Sequence, residues 1–144
     1  MNDLQNLKAI NVTPPAAIVD NAAFTTASVD TKDVESALFV ASFGAMDIAA
    51  TVFKLRESDD DSSYADVSGA DFSVSPLTLP SATSDNTIFG VYVKCGGARK
   101  RYLDLSVTGG DGTAGTYLSV LCLLLPKVSP TTASGRGLAQ QAIV

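Results

Sequence analysis

The stretch "VTGGDGTAGTYLSVLCLLL", residues 107–125, decides how the chain is interpreted. Gly110, Gly112 and Gly115 in it have the spacing G-x-G-x-x-G, which is found in dinucleotide-binding loops. Such a loop needs a helix after the glycines and an acidic residue about twenty positions later. Here a β-prone apolar run follows and stops at a proline, and no Asp or Glu occurs after Asp111. The stretch therefore predicts a tight hairpin connection between two antiparallel strands, without a bound nucleotide.

The remainder of the chain alternates short β-prone runs with turn-forming residues. About seven or eight such runs occur, and none has the apolar period of an amphipathic helix. Residues 101–108 alternate between apolar and polar, whereas residues 37–43 and 117–125 are apolar on both faces. The pattern predicts a single all-β domain, an antiparallel β-sandwich of jelly-roll type. The predicted core consists of Phe39, Val40, Phe43, Phe53, Leu55, Phe89, Val91, Leu103, Leu105, Leu121 and Leu123.

The overall composition limits the classes of partner. The 144 residues are 46% hydrophobic and only 17% charged, with a net charge of −5, which disfavours binding to a nucleic-acid backbone. No apolar run is long enough to cross a bilayer, and we expect the chain to fold in the cytoplasm of the cell that makes it. Cys95 and Cys122 lie in apolar runs, which predicts buried free thiols, with a disulfide as the alternative.

The two ends of the chain differ in composition from the middle. Residues 1–15 are mostly polar and end in Pro14-Pro15, which predicts an N-terminal arm. Residues 129–144 are rich in small and turn-forming residues, which predicts a C-terminal arm. The β-sandwich body is accordingly expected over residues 16–128.

No residue pattern points to catalysis, a cofactor or a metal. The chain has no histidine, its two cysteines are isolated, and no Ser lies in a G-x-S-x-G turn. We therefore predict no catalytic residue, no cofactor-binding residue and no metal ligand, and hence a protein that is not an enzyme.

Two charged segments have alternative interpretations. Residues 57–66, "ESDDDSSYAD", lack the central glycine and the closing Glu of an EF-hand loop. A solvated acidic loop is predicted there, with weak calcium binding as the alternative. The ten basic residues are scattered apart from Arg99, Lys100 and Arg101, which predict a solvated turn, with a phosphate site as the alternative.

Three quoted stretches carry a resemblance to a known family. They are "FVASFGAMDIAATVFKLRESDDDSSYADVSG" (39–69), "LPSATSDNTIFGVYV" (79–93) and "ARKRYLDLSVTGGDGTAGTYLSVLCLL" (98–124). The chain from about residue 20 to residue 125 resembles small proteins encoded among the head genes of tailed bacteriophages, several of which are described as head decoration or cement proteins. The resemblance implies a β-sandwich or jelly-roll body on the exterior of an icosahedral capsid.

The resemblance also implies partners. The chain would be a structural virion protein that binds the major capsid protein and other copies of itself, without nucleic acid or membrane. Closed rotational symmetry at a three-fold site makes a trimer the expected oligomer. We expect the arms to order against capsid subunits or sister copies, so that deleting either arm weakens attachment and leaves the body folded. The candidate contact residues are Leu4, Leu7, Ile10, Leu138, Ile143 and Val144.

An alternative function is a virion-displayed β-sandwich that binds carbohydrate or a host surface. A sugar-binding module usually presents a planar row of aromatic side chains. The chain has no tryptophan and four tyrosines, which counts against this alternative.

Overall fold

A computed structural model of the chain describes residues 3–14, 18–19, 22–110 and 115–143. These residues form ten strands and two short 3₁₀ turns, Asp3–Asn6 and Ser134–Arg136. The strands are β1 (Lys8–Thr13), β2 (Ile18–Val19), β3 (Ala22–Thr25), β4 (Val29–Asp30), β5 (Val34–Met46), β6 (Val52–Ser58), β7 (Ala65–Asp71), β8 (Thr87–Lys94), β9 (Tyr102–Gly109) and β10 (Thr116–Pro126).

The strands form two antiparallel sheets that pack face to face. Sheet A has the order β1-β10-β5-β8, and β2 also pairs with β10. Sheet B has the order β3-β9-β6-β7, and β4 also pairs with β9. Strands from opposite ends of the chain therefore pair in nested order: β1 with β10, β3 and β4 with β9, β5 with β8, and β6 with β7. This nesting is the jelly-roll topology, and it confirms the predicted fold class.

The core lies between the two sheets and is built around aromatic rings. Phe43 meets Phe53 edge to face at 5.7 Å between ring centroids, and Phe89 lies 5.4 Å from Phe43. Such perpendicular pairs are favourable because the positive ring edge meets the negative ring face. The predicted core residues that are buried are Phe39, Phe43, Phe53, Leu55, Val91, Leu103 and Leu105, while Phe89 is partly buried against them.

Three predicted core residues, Val40, Leu121 and Leu123, point away from the core, so this part of the prediction is wrong. β10 is apolar on both faces, and a strand's side chains alternate with a period of two. The pairing of β10 with β5 places Cys122 beside Phe39 on the inner face and Leu121 beside Val40 on the outer face. The inner face of β10 instead contributes Leu118, Val120, Cys122 and Leu124.

The N-terminal segment is part of the body over residues 8–13. β1 pairs with β10, Val12 is buried, and Ile10 packs against the core. The sandwich therefore begins at Lys8 rather than at residue 16. Residues 129–143 of the predicted C-terminal arm, called the tail below, lie beside β1. The Nε of Arg136 in the tail donates a hydrogen bond to the backbone oxygen of Gln5, just before β1, at 2.7 Å.

The glycine-rich stretch connects β9 to β10, as predicted, but it is not a hairpin. β9 belongs to sheet B and β10 to sheet A, so the connection passes from one sheet to the other. Gly110 and Gly115 have φ of 76° and 83°, values that glycine adopts without strain. The predicted tip, residues 111–114, lies outside the described residues.

Candidate protein interface

The outer face of sheet A is apolar and open. We call it the apolar face; its members are Leu38, Val40, Ile88, Tyr92, Tyr117, Leu121 and Leu123. Two neighbouring rows run across all four strands of the sheet. One consists of Asn11, Leu121, Val40 and Gly90, and the next of Ala9, Leu123, Leu38 and Tyr92. Neither row contains a charged residue.

Exposure is greatest on β8, at one side of the apolar face. Ile88 and Tyr92 are each 69% exposed, and Leu121 on β10 is 39% exposed. Gly90 lies between the first two, and the side chain of Leu38 comes within reach of the space above it. A group of large apolar side chains that stays open to water marks a surface suited to a protein partner.

The outer face of sheet B is charged, in contrast to the apolar face. Arg56 donates two hydrogen bonds to Asp104, from Nε to Oδ1 at 3.0 Å and from Nη2 to Oδ2 at 2.7 Å. Lys54 Nζ lies 2.7 Å from Asp66 Oδ2. The guanidinium of Arg56 also lies over the ring of Tyr64, 5.1 Å from its centroid. These charges are paired with one another, so the two outer faces differ sharply in polarity.

Basic residues gather at one end of the sandwich. Strand starts, strand ends and turns there carry Lys8, Lys32, Lys94, Arg99, Lys100, Arg101 and Lys127. The three consecutive cations of the predicted turn all form ion pairs: Arg99 with Glu57, Lys100 with Asp59 and Arg101 with Asp30. At the opposite end, the connections 47–51 and 72–86 contain acidic residues and neither Lys nor Arg. Basic residues are therefore concentrated at one end, where several of them are paired with carboxylates of the same end.

In the acidic loop between β6 and β7, the central carboxylate, that of Asp60, accepts hydrogen bonds from groups in and beside the same loop. Asp60 Oδ1 accepts hydrogen bonds from Ser58 Oγ at 2.7 Å, from Ser62 N at 3.0 Å and from Ser63 N at 2.8 Å. These bonds hold the pKa of Asp60 well below its usual range, since they favour the charged carboxylate. Within the described part of the chain, no group of three or more His, Cys, Asp or Glu residues is arranged to hold a metal ion.

The two cysteines are free thiols rather than a disulfide. Cys122 is buried in the inner face of β10 and Cys95 is half-buried after β8. Burial raises the pKa of Cys122 to about 12 because the thiolate is disfavoured away from water. Among the described residues, no helix is long and apolar enough to cross a membrane.

The predicted contact residues occupy the two ends of the chain. Leu4 is almost fully exposed in the first 3₁₀ turn, and Ile143 is 70% exposed in the tail. Leu138 is exposed less, while Leu7 and Ile10 are half-buried. The hydrogen bond between Arg136 and Gln5 brings the two ends together beside β1. Val144 lies outside the described residues.

The sequence prediction missed the apolar face, although a signal for it was present. A strand in a two-layer sandwich has one face against the core and one face outside. The runs 37–43 and 117–125 are apolar on both faces, so each must leave one apolar face uncovered within a single body. Two such runs pair side by side as β5 and β10, which makes the uncovered surface continuous.

Two comparisons of this chain with known proteins returned no match. No protein-family model matches it, and no curated protein matches it. The candidate interface therefore rests on the geometry of the apolar face.

Proposed function

We propose that the protein is a structural virion protein, a capsid decoration or cement protein. It binds the outer surface of the major capsid protein shell, stabilises the shell across subunit seams, and acts as a homo-oligomer. The apolar face of sheet A is the observation that carries this proposal. Large apolar side chains that are exposed on one face suit a contact with another protein. The resemblance of residues 20–125 to phage head proteins supplies the class of partner, and jelly rolls occur among viral capsid domains.

The dimensions of the apolar face suit a contact of modest strength. Four strands about 4.8 Å apart and roughly seven residues long, at about 3.4 Å per residue, cover roughly 450 Å². This is within the size range of functional patches on monomeric proteins, about 300–600 Å². One such contact is weak, but many copies on one shell act together.

The positions of the exposed tyrosines favour a protein partner over a sugar. Tyr92 pairs with Leu38 of β5, whereas Tyr117 lies against Gly44, six residues further along that strand. At about 3.4 Å per residue the two rings are roughly 20 Å apart. That separation is too large for both rings to stack on one sugar, so the geometry does not favour the carbohydrate-binding alternative.

Binding to shells that lack the protein tests the proposal. The purified chain is titrated onto such shells, and occupancy is counted by electron microscopy. We expect saturable binding, and a loss of at least tenfold in affinity for Leu121→Lys and Tyr117→Lys, which place a charge in the apolar face. Ser68→Lys, which adds the same charge to an exposed position on sheet B, is the matched control and should bind normally.

Two results would contradict the proposal. The unaltered chain could fail to decorate shells, which removes the function itself. Alternatively, Leu121→Lys and Tyr117→Lys could bind as well as Ser68→Lys, which shows that the apolar face is not the contact.

A further inference from the structure

Three of the four edges of the two sheets are protected against pairing with another chain. The edge at β1 is covered by the tail, where Gly137 lies so close to the carbonyl oxygen of Ala9 that no Cβ would fit. In sheet B, the edge next to β9 is not one continuous strand but two short ones, β3 and β4. The β7 edge is irregular, with Gly69 at φ 80° and a register shift in its pairing with β6. Such coverings, breaks and bulges prevent edge-to-edge association.

The fourth edge, β8, has none of these devices. It is eight residues long without interruption, contains no proline, and carries a single charge, Lys94, at its end. Among the described strands it pairs only with β5. A long, uninterrupted, apolar edge of this kind readily accepts another strand.

The register shows which backbone groups of β8 are free. Cys95 N donates to Glu35 O at 2.8 Å, and these residues continue the pairing of β8 with β5. In an antiparallel pair, alternate residues direct both N–H and C=O toward the neighbouring strand. The odd-numbered residues of β8 therefore face β5. Ile88, Gly90, Tyr92 and Lys94 direct their N–H and C=O groups away from the sheet, where an extended chain can pair with them.

We propose that β8 pairs in antiparallel orientation with β8 of a second copy, so that two A sheets join across a two-fold axis. With Gly90 opposite Gly90 of the second copy, Ile88 lies opposite Tyr92 of that copy. This aromatic and β-branched pair is favourable across strands, and the symmetry forms it twice. The paired glycines leave room for the neighbouring tyrosine rings to cover the backbone.

The charge on β8 favours a second copy of the same chain. In this register the pairing ends with Val93 opposite Thr87, the first residue of β8, and Lys94 lies just beyond it, so no like charges meet. The two Lys94 side chains are at opposite ends of the paired strands, roughly 27 Å apart, well beyond the screening length of about 8 Å at physiological salt. A two-fold pairing also uses the same edge on both copies, so it closes the assembly and leaves no β8 edge free.

The contact area gives a reversible dimer. The seven paired residues, 87–93, span about 24 Å, and two layers about 10 Å apart with their outer side chains are roughly 20 Å thick, which gives about 500 Å² per copy. The total of about 1,000 Å² is at the lower limit for a specific interface. The dimer should therefore form in the micromolar range and dissociate on dilution. It replaces the trimer that the resemblance implies, and it does not depend on the proposed function.

The mass of the purified chain in solution, without shells, tests the pairing. We expect twice the chain mass at roughly 100 µM and a shift to monomer on dilution. Tyr92→Lys and Gly90→Pro should remain monomeric at that concentration. The proline removes an N–H that points away from β5, so the pairing within sheet A is preserved. Tyr117→Lys, which alters the apolar face two strands away, is the matched control and should still dimerise.

Amide hydrogen exchange followed by NMR gives a second readout, because the pairing predicts different exchange rates for the even-numbered and the odd-numbered residues of β8. The amides of Ile88, Gly90 and Tyr92 should exchange at least about tenfold more slowly in the unaltered protein than in Tyr92→Lys. The amides of Phe89 and Val91, which face β5, should be protected in both. A monomer or a trimer at all concentrations, fast exchange at the even positions, or a dimer that survives both β8 variants would each overturn the proposal. Because no shell is present, none of these results bears on capsid binding.

Discussion

The ion pair between Arg56 and Asp104 differs from the Lys54–Asp66 pair in burial. The Asp104 side chain is only 5% exposed and accepts two hydrogen bonds from the guanidinium, whereas Asp66 is more than half exposed. The bidentate contact raises the pKa of Arg56 above its ordinary value, because the carboxylate stabilises the charged guanidinium. Removal of one partner of a buried pair leaves the other charge partly desolvated, which costs far more than loss of an exposed pair.

We expect Asp104→Ala to lower the free energy of unfolding by about 2–4 kcal/mol. The same change in the exposed pair, Asp66→Ala, is the matched control and should cost less than about 1 kcal/mol. Chemical denaturation measures the free energy of unfolding of both variants, and the comparison holds if their m-values equal that of the unaltered protein. Equal losses in the two variants would show that burial does not distinguish the pairs.

The ion pair between Asp30 and Arg101 predicts a pH dependence of stability. The hydrogen bonds from Arg101 lower the pKa of Asp30 from 3.8 to about 2. Because the folded pKa lies below the unfolded one, the pair stabilises the protein above about pH 4, and this contribution is lost as the pH falls toward 2. Both side chains are nearly half exposed, so the effect is below about 1 kcal/mol.

In Asp30→Asn this contribution is absent at every pH. We expect the variant to be slightly less stable than the unaltered protein at pH 7 and equal to it near pH 2, so the difference shrinks between pH 4 and pH 2. Urea denaturation at a series of pH values measures the difference. A gap that stays constant down to pH 2 would refute the assigned role of Asp30.

At the scale of the elements, β10 shows how pairing selects one of two apolar faces. Leu124 is buried against the core, while its neighbour Leu123 is partly exposed on the apolar face. The two residues have the same side chain on the same strand and differ only in direction. Their burial follows from the pairing of β10 with β5, which sets Leu124 beside Ala37 and Leu123 beside Leu38.

Truncation of each leucine to alanine tests which of the two side chains points into the core. Leu124→Ala should destabilise the fold by about 2–5 kcal/mol, because it leaves a cavity between the sheets. Leu123→Ala should cost less than about 1 kcal/mol, since the removed atoms are partly in water already. Thermal or chemical unfolding compares the two variants. The reverse order would mean that β10 is shifted by one residue relative to β5.

At the scale of the whole molecule, the two chain ends contribute differently to stability. β1 belongs to sheet A and contributes Val12 to the core, whereas the tail after β10 adds a 3₁₀ turn but no strand. The jelly roll pairs its first strand with its last, so loss of β1 uncovers one edge of β10. Deletion of the tail leaves all ten strands in place.

We therefore expect deletion of residues 1–15 to destabilise the body, in contrast to the expectation for a free arm. Burial of Val12 and Ile10 contributes about 1.5–3 kcal/mol each before ordering costs, so a net loss of roughly 3 kcal/mol follows. Deletion of residues 129–144 should cost less than about 1 kcal/mol. Thermal unfolding distinguishes the two. An N-terminal deletion as stable as the full chain would show that β1 is dispensable.

The sequence by itself determined the fold class and part of the core. Where a strand alternates clearly, as in Leu103, Leu105 and Val107 of β9, local periodicity names the buried face, and all three residues are buried. The neighbours of the glycine-rich stretch likewise showed that it connects two strands, because no helix-forming run follows it, but they did not show that the connection crosses from one sheet to the other. These conclusions depend on a few adjacent residues, which the sequence shows directly.

Only the tertiary structure shows which strands pair with one another. Most of the candidate interface depends on this strand pairing. A run that is apolar on both faces, such as 117–125, does not specify which face is buried; its partner strand does. β1 joins the sheet through β10, more than a hundred residues away, and seven of the ten basic residues meet at one end because alternate strands finish there. The free β8 edge is likewise visible only once every other strand has its neighbour. Strand pairing acts between distant parts of the chain, and this is why local periodicity could predict a sandwich but not its exposed face or its open edge.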